Sequence, residues 1–294
     1  MSALPQTEAV SIIDSDTTPA LAKLFERVGQ LTTLPAAAQR IMQLVSDQGS
    51  TTADLLSAVE GDPVLAAQVL RRVNSAFYGL RNRVGDLRSA ISLLGFREIR
   101  NLALTVYMSR MFDGSSEYRG FSREGLWKHC VAVAHASRLI SLTCRRESPD
   151  EAYLAGLLHD MGLILLDQYM GKYLMQIVDG VSEGKPTTEA ERDVLPFDHT
   201  LLGAYVATQW NFPASVIAAT RYHHEPLAAP SSFQQMAATV AVGNYLCHRA
   251  GITSLGTQNT FAPNDDVFSV LKLEQAQLAS IWDQLQEALA SSTL

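Results

Sequence analysis

Histidine and aspartate stand side by side in one strongly apolar run of the sequence. Residues 155–166 read AGLLHDMGLILL and place His159 next to Asp160. An unpaired carboxylate buried in such a run is costly, so a metal ion or a set of buried hydrogen bonds must compensate it. The run by itself leaves both kinds of compensation open.

Further imidazole and carboxylate groups follow at separate places along the chain. His129 falls on the apolar face of its predicted helix and should point toward the core. Facing helices that project such groups toward one point form the metal sites of helical domains, and imidazole with carboxylate suits zinc, iron or manganese. The other groups are Asp198 and His199 in FDHTLLGAY, and His223, His224 and Glu225 in RYHHEP.

Each of these groups also has an ordinary structural interpretation. We assign His135, expected to be exposed, and His248 to positions without a ligand role. An HD dipeptide occurs by chance, and the HH pair before Glu225 could simply close a helix, because cationic side chains are favourable at a helix C-terminus. The co-occurrence of these motifs on separate predicted helices favours a shared polar or metal pocket over a purely structural cluster.

The elements that must position these groups are predicted to be helices. Apolar residues recur at intervals of three and four nearly throughout, and no persistent alternation with a period of two occurs, so the fold class is all-α. Thr52 should cap ADLLSAVEG, and Ser122 should cap the helix that carries His129. Pro149 should begin a helix that continues to Tyr169. One or two further helices are predicted within residues 89–112. The others are LAKLFERVGQ, a helix from Pro35, VLAAQVLRRVNSAFYG, single helices over 170–183, 198–211, 213–223 and 232–250, and QAQLASIWDQLQEALA.

The predicted organisation has four parts. Residues 1–17 form a flexible arm, residues 18–112 an N-terminal helical part, and residues 121–250 a second helical part that carries the histidines. The stretch GITSLGTQNTFAPNDD opens a C-terminal part, residues 251–294, as a linker before the last helix. That helix packs either on its own core or on a second copy, so a homodimer stays open.

An arginine-rich stretch in the N-terminal part has two interpretations. It could receive a phosphate, a nucleotide or an acidic partner. Alternatively, its arginines lie on solvated helix faces and pair with Glu60, Asp62, Asp86 and Glu98. Asn74 and Ser75, which follow an arginine-rich helix, should turn the chain locally. The stretch contains Arg71, Arg72, Arg81, Arg83, Arg88, Arg97 and Arg100, with Phe77, Tyr78 and Phe96 among them.

Composition excludes several classes of function. The 294 residues are 47% hydrophobic and 18% charged, which is ordinary for a globular protein, and the net charge of −7 argues against coating nucleic acid or an anionic membrane. Three widely spaced cysteines without a CxxC motif suggest neither disulfides nor a zinc knuckle. No apolar run approaches the roughly 20 residues of a membrane helix, so we expect a cytoplasmic protein.

The order of the polar groups resembles a known superfamily. His129, His159-Asp160, His199 with Gly203, and His223-His224 resemble the HD metal-dependent phosphohydrolases, particularly the HD-GYP branch that hydrolyses cyclic di-GMP. The strings DPxL…NSxFYG and LGxRxxRNL resemble the HDOD family, an HD-related output domain of bacterial signalling proteins. These strings belong to three phrases that span residues 31–104, and the likeness extends to about residue 250. Residues from 251 onward lie outside it.

The resemblance implies a multi-helix HDOD or HD-like bundle with an N-terminal helical subdomain. It also implies one or two divalent ions, iron, manganese or zinc, with Asp160 as the bridging carboxylate and, in an active enzyme, the catalytic one. The implied ligands are His129, His159, Asp160, His199, His223, His224 and, in place of the closing aspartate, Asn244.

Four departures from the HD-GYP pattern favour a domain without efficient hydrolysis. HD-GYP enzymes have a lysine that neutralises phosphate where this sequence has Leu163, and a glutamate that can bridge metals where it has Gly125. They have an aspartate where this sequence has Asn244, and a D-G-x-x-Y-P loop where it has Pro226 to Ala228. The preferred hypothesis is therefore a non-catalytic signalling module that contacts partner proteins. The alternatives are a metal-dependent phosphohydrolase acting on a nucleotide or cyclic dinucleotide, and a nucleotide-binding sensor without turnover.

Overall fold

A computed structural model describes residues 19–31, 36–46, 49–75, 80–145 and 147–291. The predictions for the arm 1–17, Pro35, Phe77 and Tyr78 lie outside these residues. The helices are α1 Pro19–Leu31, α2 Ala36–Ser46, α3 Thr52–Glu60, α4 Pro63–Val73, α5 Leu87–Leu94, α6 Phe96–Ser109, α7 Arg123–Cys144, α8 Pro149–Leu158, α9 Met161–Ser182, α10 Thr187–Val194, α11 His199–Gln209, α12 Ala214–Tyr222, α13 Gln234–Arg249, α14 Asp265–Leu271 and α15 Gln275–Ser291. The all-α prediction is confirmed.

Local side-chain chemistry sets the helix starts. The Ser122 hydroxyl accepts a hydrogen bond from the Gly125 N–H, and Pro149 occupies the first turn of α8, as predicted. The predicted cap at Thr52 is wrong, because the cap is Thr51. Its hydroxyl accepts from the Asp54 N–H, and the Asp54 carboxylate accepts in return from the Thr51 N–H, which is a capping box.

The breaks between helices differ from the prediction at the central motif. Residues 149–169 do not form one helix, because the chain turns at His159 and Asp160 between α8 and α9. A second interruption lies inside α9, where Met170 has φ −137° and ψ 34° and kinks the helix close to the predicted boundary. In residues 89–112 the chain forms two helices, because Gly95 separates them with a φ of 88°.

Four short elements lie where the sequence predicts loops or gives no prediction. Strands β1 Glu117–Tyr118 and β2 Phe121–Ser122 form an antiparallel pair in the polar loop before α7. Helix α10 precedes His199, and α14 lies at the end of the predicted linker. These pieces are too short for apolar periodicity to reveal them.

The core is one continuous apolar cluster that extends from Leu21 to Leu285. Small residues let its central helices approach closely. A Cβ added at Gly156 on α8 would lie 2.6 Å from the Val133 carbonyl oxygen of α7, and one added at Gly243 on α13 would lie 3.0 Å from the Ser137 hydroxyl. Helices α8 and α13 therefore both pack directly on α7, the helix that carries His129.

None of the helices in the described part of the chain is long and apolar enough to span a bilayer.

Candidate metal centre

Asp160 lies at the centre of the candidate site. Its Oδ2 is 3.4 Å from His129 Nε2 and 3.3 Å from His159 Nε2. Its Oδ1 is 3.1 Å from His199 Nε2 and 3.4 Å from His223 Nε2. The side chain of Asp160 is 3% exposed, and all four imidazole side chains are fully buried. Each carboxylate oxygen therefore faces its own pair of imidazoles.

Four separate parts of the fold bring these groups together. His129 lies within α7, His159 and Asp160 form the turn between α8 and α9, His199 begins α11, and His223 follows the end of α12. The close approach of α9 and α11 depends on Gly162. A Cβ at this position would lie 2.0 Å from the His199 carbonyl oxygen, so a larger residue would push the two helices apart.

The second nitrogen of every imidazole is fixed by a hydrogen bond. Nδ1 of His129 lies 2.9 Å from the Ile252 carbonyl oxygen, that of His159 2.7 Å from the Gly156 oxygen, and that of His223 3.0 Å from the Thr220 oxygen. A carbonyl only accepts, so each of these Nδ1 atoms carries the proton and, in the neutral ring, Nε2 presents a lone pair to Asp160. Metal-binding histidines are oriented in this manner.

Glu191 on α10 fixes the fourth imidazole. Its carboxylate accepts from Nδ1 of His199 at 2.8 Å and from the backbone N–H of His199 at 3.1 Å. Burial raises the pKa of Glu191, although the interaction with His199 opposes this shift. Glu191 was not among the site residues predicted from the sequence. The available signal was weak, because ERDVLPFDH contains several acidic groups and no periodicity distinguishes the buried one.

The electrostatics of the cluster favour a bound cation. Burial alone would raise the pKa of Asp160, but the interactions with the surrounding imidazoles, that with His159 foremost, hold it well below its usual range. Burial lowers the pKa of His223 to about 4, so this ring is neutral at pH 7. Nε2 atoms also approach each other, at 3.2 Å between His129 and His159 and 3.4 Å between His199 and His223. Burial alone would lower the pKa of His199, but Glu191 and Asp160 raise it well above its usual range. A proton on this ring or a metal ion therefore supplies the positive charge that the carboxylate and the crowded ring nitrogens require.

Two overlapping sets of ligand atoms have the spacing to hold a metal ion. The first is Asp160 with His199, His223 and His224, and the second is His129, His159 and Asp160. Within each set all ligand atoms lie within 4.8 Å of one another, and Asp160 is shared. His224 is the one exposed member. The donor set of imidazole and carboxylate fits a transition metal or zinc.

A cavity of about 550 Å³ adjoins the first set. Asn244 lines this cavity together with His223 and His224, and the Asn244 Oδ1 atom is buried without a hydrogen-bond partner. The walls are formed by Val181, Pro186 to Thr188, the stretch His223 to Ala228, one side of α13 with Asn244, Tyr245 and His248, and part of residues 254–267. The predicted linker therefore forms one wall of the site.

Two of the acidic groups considered in the sequence lie outside the cluster. Asp198 caps α11 by accepting from the Leu201 N–H, and it pairs with Arg192 at 2.8 Å. The Glu225 side chain is 64% exposed and lies 3.7 Å from the same arginine. Of these two residues, Glu225 lines the cavity and Asp198 does not.

The two histidines without a predicted ligand role belong to neither ligand set, but one is less exposed than predicted and the other lies beside the site. His135 is not exposed, because its ring packs edge-on against Tyr153 at 5.3 Å. Burial, with nearby Arg138 and Arg72, lowers the pKa of His135 to about 4. His248 lines the cavity and lies edge-on to His129 at 5.1 Å, so it belongs beside the site. Its spacing of four residues from Asn244 on α13 was the sequence signal.

The arginine-rich stretch is only partly a surface. Arg100 is buried at 7% exposure, which contradicts its place on a ligand surface, and desolvation lowers its pKa. Arg97 is exposed and pairs with Asp150 at 3.5 Å. Arg72 is half-buried, and Arg71, Arg81, Arg83 and Arg88 are exposed.

Three of the acidic residues near this stretch have capping roles or pair with arginines outside it. Asp62 caps α4 and pairs with Arg110, while Asp86 caps α5. Glu98 pairs with Arg138 on α7. Asn74 confirms its predicted turn role, because it bonds the carbonyl oxygens of Leu70 and Val84 and accepts from the Val84 N–H.

Comparison with known proteins gives a consistent result. The family model of the HDOD domain matches residues 31–226. The chain is similar to a crystal structure from Marinobacter aquaeolei VT8, provisionally described as a signal transduction protein, with 26% identity, a TM-score of 0.75, and coverage of 97% of this chain and 63% of that one. A Shewanella amazonensis SB2B protein, provisionally described as a phosphohydrolase, has the same fold, with 22% identity, a TM-score of 0.71, and coverage of 90% and 93%.

A curated relative extends this comparison. An uncharacterised protein of Treponema pallidum (strain Nichols) is 25% identical over 242 residues, which cover 79% of this chain and 45% of that protein. The chain thus spans less than two thirds of the length of both this relative and the Marinobacter protein.

Proposed function

The chain belongs to the HDOD domain family, and from this premise we propose that it is a signalling module that holds a divalent metal ion without hydrolysing a phosphate ester. Its output is contact with other proteins. The observation that carries this proposal is the combination of a complete set of oriented imidazoles with a cavity that lacks cationic side chains.

The missing positive charge argues against hydrolysis. Phosphoryl transfer needs cations or hydrogen-bond donors placed against the developing charge on the phosphate oxygens. Among the described residues that line the cavity, none is lysine or arginine. Leu163, at the position of the HD-GYP lysine, is fully buried in the core. The local positive charge would come from the ion alone.

The residues of the cluster fit the proposed ion. His129, His159, His199 and His223 would hold it with Asp160, and His224 with Asn244 would complete the side that faces the cavity. Iron, manganese and zinc suit these donors, in one or two positions. When bound, the ion would supply positive charge and polarise an anionic ligand.

Contact with partner proteins is the proposed output. The Marinobacter protein to which this chain is similar is provisionally described as a signal transduction protein. Arg71, Arg81, Arg83 and Arg88 are exposed on one half of a chain whose net charge is −7. These guanidinium groups suit an acidic partner surface, because arginine binds carboxylates through two parallel hydrogen bonds.

One observation favours the alternative, a metal-dependent phosphohydrolase. Each oxygen of Asp160 faces two imidazoles, which suits two ions bridged by one carboxylate, as in two-metal hydrolases. The Shewanella protein of the same fold is provisionally described as a phosphohydrolase. A nucleotide or cyclic dinucleotide would be the substrate.

Metal content and turnover distinguish the two functions. Purified full-length protein is analysed for iron, manganese and zinc by mass spectrometry, and it is assayed with bis(p-nitrophenyl) phosphate and cyclic di-GMP. We expect bound metal in the wild type, its loss in Asp160→Ala, and no turnover by either protein. Hydrolysis by the wild type that disappears in Asp160→Ala would overturn the proposal in favour of the enzyme. Absence of metal in the wild type would overturn the metal-holding role.

A further inference from the structure

The cavity beside His223 and His224 has the features of a ligand site with a defined chemistry. We propose that it binds a small molecule with one anionic group and an uncharged planar body, and that residues 254–267 recognise the body. This inference rests on the proposed function, because the anionic group is placed against the ion that the cluster would hold.

The wall formed by residues 254–267 lies outside the family match, which ends at residue 226. It contributes Ser254, Thr257, Asn259, Phe261 and Asn264 to the cavity. Four of these five side chains are neutral hydroxyl or amide groups, which recognise neutral hydrogen-bonding groups without adding charge. The family match therefore does not determine the composition of this wall, and the ligand preference is read from the wall's own residues.

Three hydrogen bonds hold the wall in place, and the first of them comes from a histidine of the metal centre. Nδ1 of His129 donates to the Ile252 carbonyl oxygen at 2.9 Å, just before the wall begins. Nδ2 of Asn259 donates to the Val181 carbonyl oxygen at the end of α9 at 2.6 Å. The Asn259 carbonyl oxygen lies 3.4 Å from Nδ1 of His248. The segment is therefore held over the cavity by specific bonds and presents a preformed surface.

Charge limits the ligand to one anionic group. Apart from the histidines, the one described lining side chain that is charged at pH 7 is Glu225, and it is negative. An anionic group at the cluster would be neutralised by the ion. A second one farther out would meet Glu225 and no cationic lining side chain, because the nearby Arg192 does not line the cavity and already pairs with Asp198 and Glu225. Ligands with several anionic groups are therefore disfavoured.

The remaining surfaces suit an uncharged planar body. The Phe261 ring is 57% exposed and Leu227 is 37% exposed, and both line the cavity. A volume of about 550 Å³ lies within the range of small-molecule pockets.

The test is calorimetric titration of the metal-loaded full chain with phenylphosphonate, whose phosphorus group cannot be hydrolysed as an ester. Methylphosphonate provides the anionic group without the body, and 4-carboxyphenylphosphonate adds a second anionic group to the same body. Benzoate tests whether the anionic group can be a carboxylate. We expect phenylphosphonate to bind about tenfold or more tightly than methylphosphonate and 4-carboxyphenylphosphonate.

Two variants test whether residues 254–267 contact the planar body of the ligand. Phe261→Ala should weaken phenylphosphonate binding about two- to tenfold, the range of an aromatic contact, while leaving methylphosphonate binding unchanged. Thr257→Val keeps the side-chain shape and should leave phenylphosphonate affinity unchanged, because the phenyl ring offers the Thr257 hydroxyl no hydrogen-bonding group. The matched control is Tyr173→Ala, because Tyr173 is 45% exposed on α9 and does not line the cavity.

Each outcome supports or overturns the inference. Equal affinity for phenylphosphonate and methylphosphonate, or full affinity in Phe261→Ala, would overturn the role of residues 254–267 while leaving the proposed function intact. Unchanged phenylphosphonate affinity after chelation of the metal would overturn the placement of the anionic group. Failure of the proposed function itself would be seen separately, as hydrolysis of bis(p-nitrophenyl) phosphate or as protein purified without metal.

Discussion

Replacing Glu191 by glutamine changes one buried carboxylate without changing its size. The two carboxylate oxygens of Glu191 accept from the backbone N–H and from Nδ1 of His199, at 3.1 Å and 2.8 Å. Glutamine offers one carbonyl oxygen and one NH2 group. In Glu191→Gln, therefore, one of the two His199 donors must face another donor.

The expected effect follows from this mismatch. Leaving a buried donor unsatisfied costs about 1–3 kcal/mol. Loss of the group that orients a metal-binding histidine typically lowers metal affinity about 10- to 100-fold, which is about 1.4–2.8 kcal/mol. Because Glu191 is fully buried, solvent cannot replace the lost bond. We expect metal affinity to fall by about 10- to 100-fold.

Competition with a chelator of known affinity measures the metal affinity of each protein. Urea unfolding of the metal-free proteins shows separately how much stability the substitution removes. Glu189→Gln is the matched control, because Glu189 lies on the same helix and is exposed. A Glu191→Gln protein whose metal affinity stays within about twofold of the wild type would refute the orienting role of Glu191.

Three further substitutions test other parts of the structure. Gly162→Ala should abolish metal binding, because its Cβ would lie 2.0 Å from the His199 carbonyl oxygen, whereas Gly171→Ala on the same helix meets nothing within 4 Å and should bind normally by the same chelator assay. The pKa of His135 is lowered to about 4, so the folded protein resists protonation and loses stability as the pH falls from 6.5 toward 4. In urea titrations, His135→Gln should reduce the slope of unfolding free energy against pH in that window, by up to about 1.4 kcal/mol per pH unit. Asn74→Ala should destabilise the fold by about 1–3 kcal/mol, because it leaves the Val84 N–H and the Leu70 and Val84 carbonyl oxygens without the Asn74 side chain.

Contrary results would identify the faulty step in each case. Normal metal binding by Gly162→Ala would show that the α9–α11 contact does not position Asp160. An unchanged pH slope in His135→Gln would show that this ring is solvated enough to keep its ordinary pKa. Wild-type stability of Asn74→Ala would show that water replaces its hydrogen bonds.

Local chemistry made much of the fold predictable. The intervals of three and four apolar residues predicted the helical class, and they correctly placed His129 on the buried face of its helix. Capping rules correctly identified Ser122 and the Pro149 start, since both depend on residues within one turn. The same rules missed the break at His159 and Asp160, because the Asp160 side chain makes no capping hydrogen bond there and instead faces imidazoles from distant helices.

The sequence by itself determined which residue types are available for a site and the order in which they occur along the chain. Only the tertiary structure decided that four imidazoles meet one carboxylate within 3.5 Å, that Glu191 orients His199, and that residues 254–267 form a wall beside them. The physical reason is range. Periodicity and capping depend on neighbours within a few residues, whereas these contacts join positions 30 to 123 residues apart or lie across helix crossings set by packing.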